Sequence, residues 1–304
     1  MAETASLIEN VVVLGGNGAM GSLFCMRLSD QGKQVVAIDL QTTSSLHADN
    51  FQYLNSDVRM LDGESQNALS RADLVIAALP ESVMMSAWQE ITRYQKPASL
   101  LVDTLSVKTP IVKALSHSKS PDEIVSINPM FAPSLGFSDQ SVVLIDIRHG
   151  PIADTLVTMM ETWGCRLVIL SAEQHDRYTA MLQTVTHAAI LTFGTALQRL
   201  GYDISTVERF MPPPHRTLLA LVARILSADP EVYWSIQSSN PYAKEIRHVL
   251  ASAIKEFSDL IDNQNQADFE AHLISLTTLF NPEQLQKYQQ ICSQIFTDLT
   301  SKNM

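Results

Sequence analysis

A glycine-punctuated turn between a β-branched run and a helix-length segment constrains this chain more than any other feature. Val11, Val12, Val13 and Leu14 form a continuous apolar run, and the residues that follow read GGNGAMG. Gly16, Gly18 and Gly21 fall in GxGxxG spacing where a strand hands over to a helix running to about Gln31. In such a turn Gly16 lets the chain tighten, Gly18 lets the backbone approach a pyrophosphate, and Gly21 permits close packing of helix on strand. The helix start, from Asn17 through Ala19 and Met20, offers N–H donors to an anion. The next run, QVVAID, ends in Asp39, near the ~20-residue offset at which an acid receives an adenosine ribose hydroxyl. An acid there repels a 2′-phosphate, so NAD is the expected cofactor. A glycine turn that binds nothing, with Asp39 as a solvated strand end, is the alternative; strand, helix and acid together weigh against it.

The rest of the first half follows the same grammar. Short β-branched runs at Asp73 to Leu79, Ser99 to Asp103, Glu123 to Ile127, Ser141 to Ile145 and Arg166 to Leu170 alternate with helix-length segments. The runs are continuous rather than alternating, as expected of strands covered on both faces, so the fold class is an α/β Rossmann-like, doubly wound, mainly parallel sheet. Leu79 and Asp103 close two of these strands, and strand C-termini are where open α/β sheets bind ligands, so both join the expected cofactor residues. Beyond about residue 172 only helical periodicity remains, punctuated by Pro212-Pro213-Pro214, Asp229-Pro230, Asn240-Pro241 and Asn281-Pro282. The expected organisation is a dinucleotide-binding domain over 1–171 and an all-helical domain over 172–304. The helix from Thr179 to Leu200 carries one charged residue, Arg199. It is too apolar to face solvent, so burial at a domain or subunit interface, and a homodimer, are expected.

Charge narrows the partners. The formal net charge is -11 and no long Lys/Arg cluster occurs, which argues against a nucleic acid or an anionic membrane. Cys25, Cys165 and Cys292 lie far apart and form no CxxC pair, so neither a disulfide framework nor a metal site is expected. The opening MAETASLIEN lacks a basic segment followed by an apolar one, and no uninterrupted apolar run approaches the ~20 residues that span a bilayer. A cytoplasmic protein is the expectation.

A second constellation lies at the same sheet edge. The run ending in Asp103 continues as DTLSVK, with Ser106 and Lys108, and Pro110 can open a helix. The run ending at Ile127 continues as Asn128-Pro129-Met130-Phe131-Ala132-Pro133, a rigid turn presenting Asn128. Two polar strand ends thus converge, although Asp103 and Ser106 as helix caps and Asn128 as a turn closer are open alternatives.

GGNGAMG, DTLSVK, NPMFAP, the helical QTVTHAAILTFGTAL and PHRTLLALVARIL, in this order, resemble the prephenate and arogenate dehydrogenase family over nearly the whole chain. The resemblance implies a Rossmann domain joined to a helical dimerisation domain, and oxidative decarboxylation of a cyclohexadienyl substrate with hydride passing to NAD. It implies that Ser106 and Lys108 bind substrate and that Arg216 clamps a substrate carboxylate, a task suited to a planar guanidinium. It also implies that His187 lies near the substrate and His175, in AEQHDR, near the cofactor. Read by themselves, His187 is more often a hydrogen-bonded core histidine than a functional one, and Arg216 is equally a surface ion-pairing residue.

One position departs from the pattern. The family turn usually reads His-Pro-Met, and that histidine accepts the ring hydroxyl proton as hydride leaves; this chain has Asn128. An amide is no base near neutral pH, and loss of general-base help costs a hydroxyl substrate roughly 10²- to 10⁴-fold. An amine at the reacting carbon instead supplies its own lone pair and forms an iminium. The expected substrate is therefore 4-amino-4-deoxyprephenate, giving 4-aminophenylpyruvate, carbon dioxide and NADH on a route to 4-aminophenylalanine. Asn128, Ser106 and His187 are the expected catalytic residues. The alternatives are a prephenate or arogenate dehydrogenase with another base, a catalytically silent NAD-binding protein, and a β-hydroxyacid dehydrogenase, for which the Gln183 to His187 region supplies no lysine.

Overall fold

The structure, a computed structural model, describes residues 7–41, 48–118 and 122–301. Residues 1–6, which begin the acidic N-terminal segment considered above, lie outside that range. The chain forms two compact units that meet in sequence between Tyr178 and Thr179.

In the first unit, β1 (Asn10–Leu14), α1 (Ala19–Asp30), β2 (Gln34–Asp39), β3 (Phe51–Asn55), α2 (Gly63–Leu69), β4 (Leu74–Ala77), α3 (Glu81–Tyr94), β5 (Leu100–Asp103) and α4 (Thr109–Ser116) follow one another. They are succeeded by β6 (Glu123–Pro129), β7 (Ser141–Arg148), α5 (Pro151–Thr162), β8 (Arg166–Ile169) and α6 (Ala172–Thr179). The eight strands form one sheet in the order β3-β2-β1-β4-β5-β6-β7-β8. Every neighbouring pair is parallel except β6 and β7, which run antiparallel. Strand order reverses between β1 and β4, the crevice at which open α/β sheets bind their ligands.

The continuous apolar runs have a simple cause. Val11 and Val13 pack with Val35, Ala37 and Ile76 beneath Phe24 and Leu28 of α1 and Leu156 and Met160 of α5. Val12 and Leu14 pack the other way, with Ile38, Val75, Met84 and Ile91 of α3, and Ile111 and Leu115 of α4. Successive residues point to opposite faces, and both faces are covered, so neither parity can be polar.

Strand β3 had no counterpart in the sequence reading. Its FQYLN buries only Leu54, and as the edge strand it carries Gln52 and Asn55 outward, so the continuous-run signal never appears. The other difference concerns Asn128. It closes no turn but lies within β6, opposite Val143 of β7, and the strand continues to Pro129. Proline is tolerated at that terminal position, where the ladder no longer needs its N–H.

The second unit is all helical. A five-residue π segment, Ala180–Thr184, leads into α7 (Val185–Arg199), followed by α8 (Ile204–Val207), α9 (Pro213–Leu226), α10 (Pro230–Ser238), α11 (Ala243–Asp262), α12 (Gln266–Leu276) and α13 (Pro282–Ser301). Ile190 of α7 packs on Val222 and Ile225 of α9. The π segment widens the backbone, and Gln237 donates to the Thr184 carbonyl at 3.0 Å. The sequence boundary at 171/172 falls seven residues before the structural one, because Asp176 of α6 holds the backbone of Lys108 and Thr109.

The helical run 172–199 is interrupted by polar residues such as Gln183, Thr184 and His187, yet it is long and apolar enough to cross a membrane by length and composition alone. Its apolar surface is largely uncovered within the single chain, with Met181 and Leu182 exposed.

Candidate functional site

The glycine turn is built as a phosphate cradle, with one reassignment. Gly15 has φ +76°, and a Cβ there would lie 2.3 Å from the Ala78 carbonyl oxygen, so Gly15 rather than Gly16 makes the tight turn. The adjacent glycine pair was the available signal. Gly16 is needed for close approach to β2, since its Cβ would meet that of Ala37 at 2.5 Å. At Gly21 a Cβ would stand 2.1 Å from the Gly15 oxygen, so helix and turn touch backbone to backbone.

Gly18 differs, for its Cβ would meet only the Gly15 oxygen, at 3.3 Å. The chain's own packing does not demand that glycine. Helix α1 also starts without a side-chain cap and without an acid in its first turn, so Asn17, Ala19 and Met20 lead into a helix end suited to an anion. Asp39, at the end of β2, accepts the Asn17 N–H at 3.0 Å and so stands over the turn. Leu79 follows β4 and flanks the same turn, its Cδ2 within 3.2 Å of a Cβ placed on Gly15. These residues fit a dinucleotide: open backbone for pyrophosphate, an acid for the ribose, an apolar wall beside them.

The second constellation forms a buried polar cluster. Lys108 is fully buried, and its Nζ donates to Asp103 Oδ1 at 2.8 Å and to the Ile127 carbonyl at 2.6 Å. Asp103 is equally buried; its Oδ1 also accepts the Leu105 N–H, and its Oδ2 has no hydrogen-bond partner among the described residues. Lys108 and Asp103, expected at the substrate and at the cofactor, face each other inside the unit. A buried carboxylate needs a cation and a buried ammonium needs an anion, so they tie the end of β5 to the end of β6. Burial pushes the Lys108 ammonium down from its ordinary range, opposed by the attraction of Asp103.

Asn128 lies beside this pair, and its Nδ2 stands 2.9 Å from His175 Nε2. The other ring nitrogen of His175, Nδ1, is 2.8 Å from Asp176 Oδ1. Asp176 is fixed in turn by the Lys108 N–H at 2.8 Å and the Thr109 N–H at 2.7 Å. Its burial favours the neutral acid, but the hydrogen bonds from His175, Thr109 and Lys108 outweigh it and hold the carboxyl below the usual range. His175 and Asp176 are fully buried and Asn128 nearly so. Asp176 escaped the sequence reading, although it adjoins His175 in AEQHDR. Ser106 sits on the loop between Asp103 and Lys108, half-buried.

His187 and Arg216 belong to the second unit. His187 packs edge-on against Tyr233 with ring centroids 4.9 Å apart, and its buried Nδ1 has no hydrogen-bond partner among the described residues. Burial, followed by the nearby Arg224 charge, pushes its pKa down, so the ring is neutral near pH 7. Arg216 is half-buried in the first turn of α9, and among the described residues no carboxylate pairs with it. Among the described residues no group of three His, Cys, Asp or Glu side chains is placed to hold a metal ion.

Known proteins resemble the chain over most of its length. Residues 25–168 match the nucleotide-binding domain of prephenate dehydrogenase, and residues 171–275 its dimerization domain. The chain is 35% identical to 4-amino-4-deoxyprephenate dehydrogenase of Streptomyces pristinaespiralis over 294 residues, 97% of this chain and 98% of that one. It is 24% identical to a probable arogenate/prephenate dehydrogenase of Methanocaldococcus jannaschii, over 85% of this chain and 58% of the longer relative. Among solved structures it shares the fold of prephenate dehydrogenase from A. aeolicus, crystallised with hydroxyphenyl propionate and NAD+. The TM-score is 0.68 at 15% identity, over 89% of this chain and 96% of that one. Synechocystis arogenate dehydrogenase gives 0.65 at 14% identity, over 88% and 97%. With both domains matched and a near full-length relative, the chain belongs to the prephenate dehydrogenase family and is a dehydrogenase with a nucleotide-binding domain.

Proposed function

We propose that this enzyme catalyses the oxidative decarboxylation of 4-amino-4-deoxyprephenate with NAD, yielding 4-aminophenylpyruvate, carbon dioxide and NADH, in the formation of 4-aminophenylalanine for specialised metabolism. The observation that carries the reading is Asn128 in place of a basic histidine at the end of β6, with its amide nitrogen engaged by His175. The relative named 4-amino-4-deoxyprephenate dehydrogenase supports it.

Bound NAD supplies the hydride acceptor; Asp39 and the turn Gly16 to Gly21 are its assigned site. At the reacting carbon the amine, bound neutral once its ammonium proton has passed to solvent, donates its lone pair as hydride departs. The electron pair of the breaking carbon–carboxylate bond then enters the ring, carbon dioxide leaves, and the aromatic amine is neutral again. No proton need leave nitrogen during hydride transfer, so an amide at position 128 suffices. A hydroxyl substrate would pass through a protonated carbonyl and would need a base. Ser106 is assigned to hold the substrate, Arg216 to clamp a carboxylate with its planar fork, and neutral His187 to act as a hydrogen-bonding partner. The apolar helices of the second unit support a homodimer, and the free thiols Cys25, Cys165 and Cys292 suit a cytoplasmic location.

A second reading has one observation in its favour. His175, braced by Asp176, could serve as base for prephenate or arogenate. NADH absorbance with 4-amino-4-deoxyprephenate, prephenate and arogenate separates the two. The amino compound should turn over fastest, and Asn128→His should raise prephenate oxidation by at least 10-fold, within the ~10²- to 10⁴-fold range of general-base help. Faster turnover of prephenate by the unaltered enzyme would remove the proposed substrate.

A further inference from the structure

We infer that Asp176 and His175 are positioning residues that lock the Asn128 amide with its carbonyl oxygen, rather than its NH2, as the group offered to the reacting amine. This rests on the amine substrate proposed above and gives position 128 a specific role in that reaction.

The orientation follows from a chain of donors and acceptors. Asp176 is held as a carboxylate by two backbone N–H groups, those of Lys108 and Thr109. A carboxylate only accepts, so the His175 nitrogen 2.8 Å from it, Nδ1, must carry the ring proton. The Asn128 atom 2.9 Å from Nε2 is the amide nitrogen, which only donates, so Nε2 accepts and the ring carries its proton on Nδ1. That places Oδ1 at the other branch of the amide, where no hydrogen bond from the described chain reaches it. The neighbouring ammonium, Lys108, does not compete for Oδ1, because it is committed to Asp103 and the Ile127 carbonyl.

The chemistry gives this orientation a purpose. As hydride leaves, positive charge develops on the amine nitrogen and its N–H groups become stronger donors. A fixed carbonyl oxygen bonds them more tightly in the transition state than in the ground state, and a flipped NH2 would oppose the same charge. Preorganised dipoles of this kind act on kcat, because they need no rearrangement at the moment of reaction.

Two substitutions separate positioning from base catalysis. In His175→Gln, one amide can still donate toward Asp176 and accept from Asn128; in His175→Phe, neither contact survives. With 4-amino-4-deoxyprephenate, H175F should lose about 10- to 100-fold in kcat, approaching the ~10²-fold loss for a deleted preorganised dipole. H175Q should keep kcat within about fivefold, with an unchanged pH profile. Equal damage in both variants with loss of the acid limb in H175Q would make His175 a base and overturn the inference, as would an H175F enzyme equal to the parent. Running prephenate in parallel keeps the two ideas apart: a parent enzyme preferring prephenate removes the amine reading, while the Gln-against-Phe contrast still judges the dyad. Should H175F fail to fold, 15N NMR of histidine-labelled parent enzyme decides. The resonance missing from H175Q should show a protonated Nδ1 and an unprotonated Nε2 at the pH of the assay; a protonated Nε2 overturns the assignment.

Discussion

The two units bury their apolar residues in opposite ways. In the first, both sheet faces are covered from within the chain, and residues from Val11 to Met160 reach near-zero exposure. In the second, Ile190, Val222 and Ile225 form a small core, while Leu182, Trp234, Ile254, Phe257, Ile261 and Leu279 remain exposed. Ile254, Phe257 and Ile261 recur at i, i+3 and i+7 along α11 and so make one stripe. The contrast teaches that the cofactor-binding unit is complete as a packed object, whereas the helical unit presents the kind of surface a partner covers, in keeping with its match to a dimerization domain.

The largest test of that contrast targets the interior of the first unit. Lys108→Met should leave the Asp103 carboxylate buried without its ion-pair partner and cost about 3–5 kcal/mol, read as a lower urea midpoint. An unchanged midpoint would mean that the buried pair contributes little to the unit's stability. The helical unit should respond at its surface instead. Ile254→Glu with Ile261→Glu should weaken self-association by about 2 kcal/mol or more, roughly 30-fold, in sedimentation velocity, while NAD binding is retained. Full dimer retention would remove α11 from the interface.

Within the glycine turn the expected effects are smaller and divide by residue. Gly21→Ala forces a Cβ against backbone and should cost about 1–3 kcal/mol in stability. Gly18→Ala should change stability by less than about 0.5 kcal/mol yet weaken NAD binding in a fluorescence titration. Equal stability losses would mean that packing alone demands both glycines. The smallest effect is the acid response of Asp176. Its folded pKa is depressed, so its contribution is fully present above the unfolded carboxylate value of ~3.9 and is lost as pH falls through the lower folded value. Thermal melts between about pH 2 and 5 should show a shallower acid limb in Asp176→Asn than in the parent.

Much of the first unit was legible because its signals are local. Strands β1, β2, β4 and β5 announce themselves as continuous apolar runs, and the glycine turn by spacing. Strand β3 was not legible, because an edge strand with one buried residue has no such run. Asn128 stood out by type, yet its place within β6 depended on pairing with β7, which a linear reading treats as a turn.

The sequence by itself determined the alternation of strands and helices, the dinucleotide turn, the family resemblance and the missing histidine, since each is a matter of residue type at short spacing. Only the tertiary structure decided that Gly15 makes the tight turn, that Lys108 and Asp103 answer each other, and that Asp176 orients His175 against Asn128. Those facts join residues as far as 68 positions apart. Their physical content is directional: which nitrogen carries a proton and which atom faces it depends on contacts made only when β5, β6 and α6 are packed together.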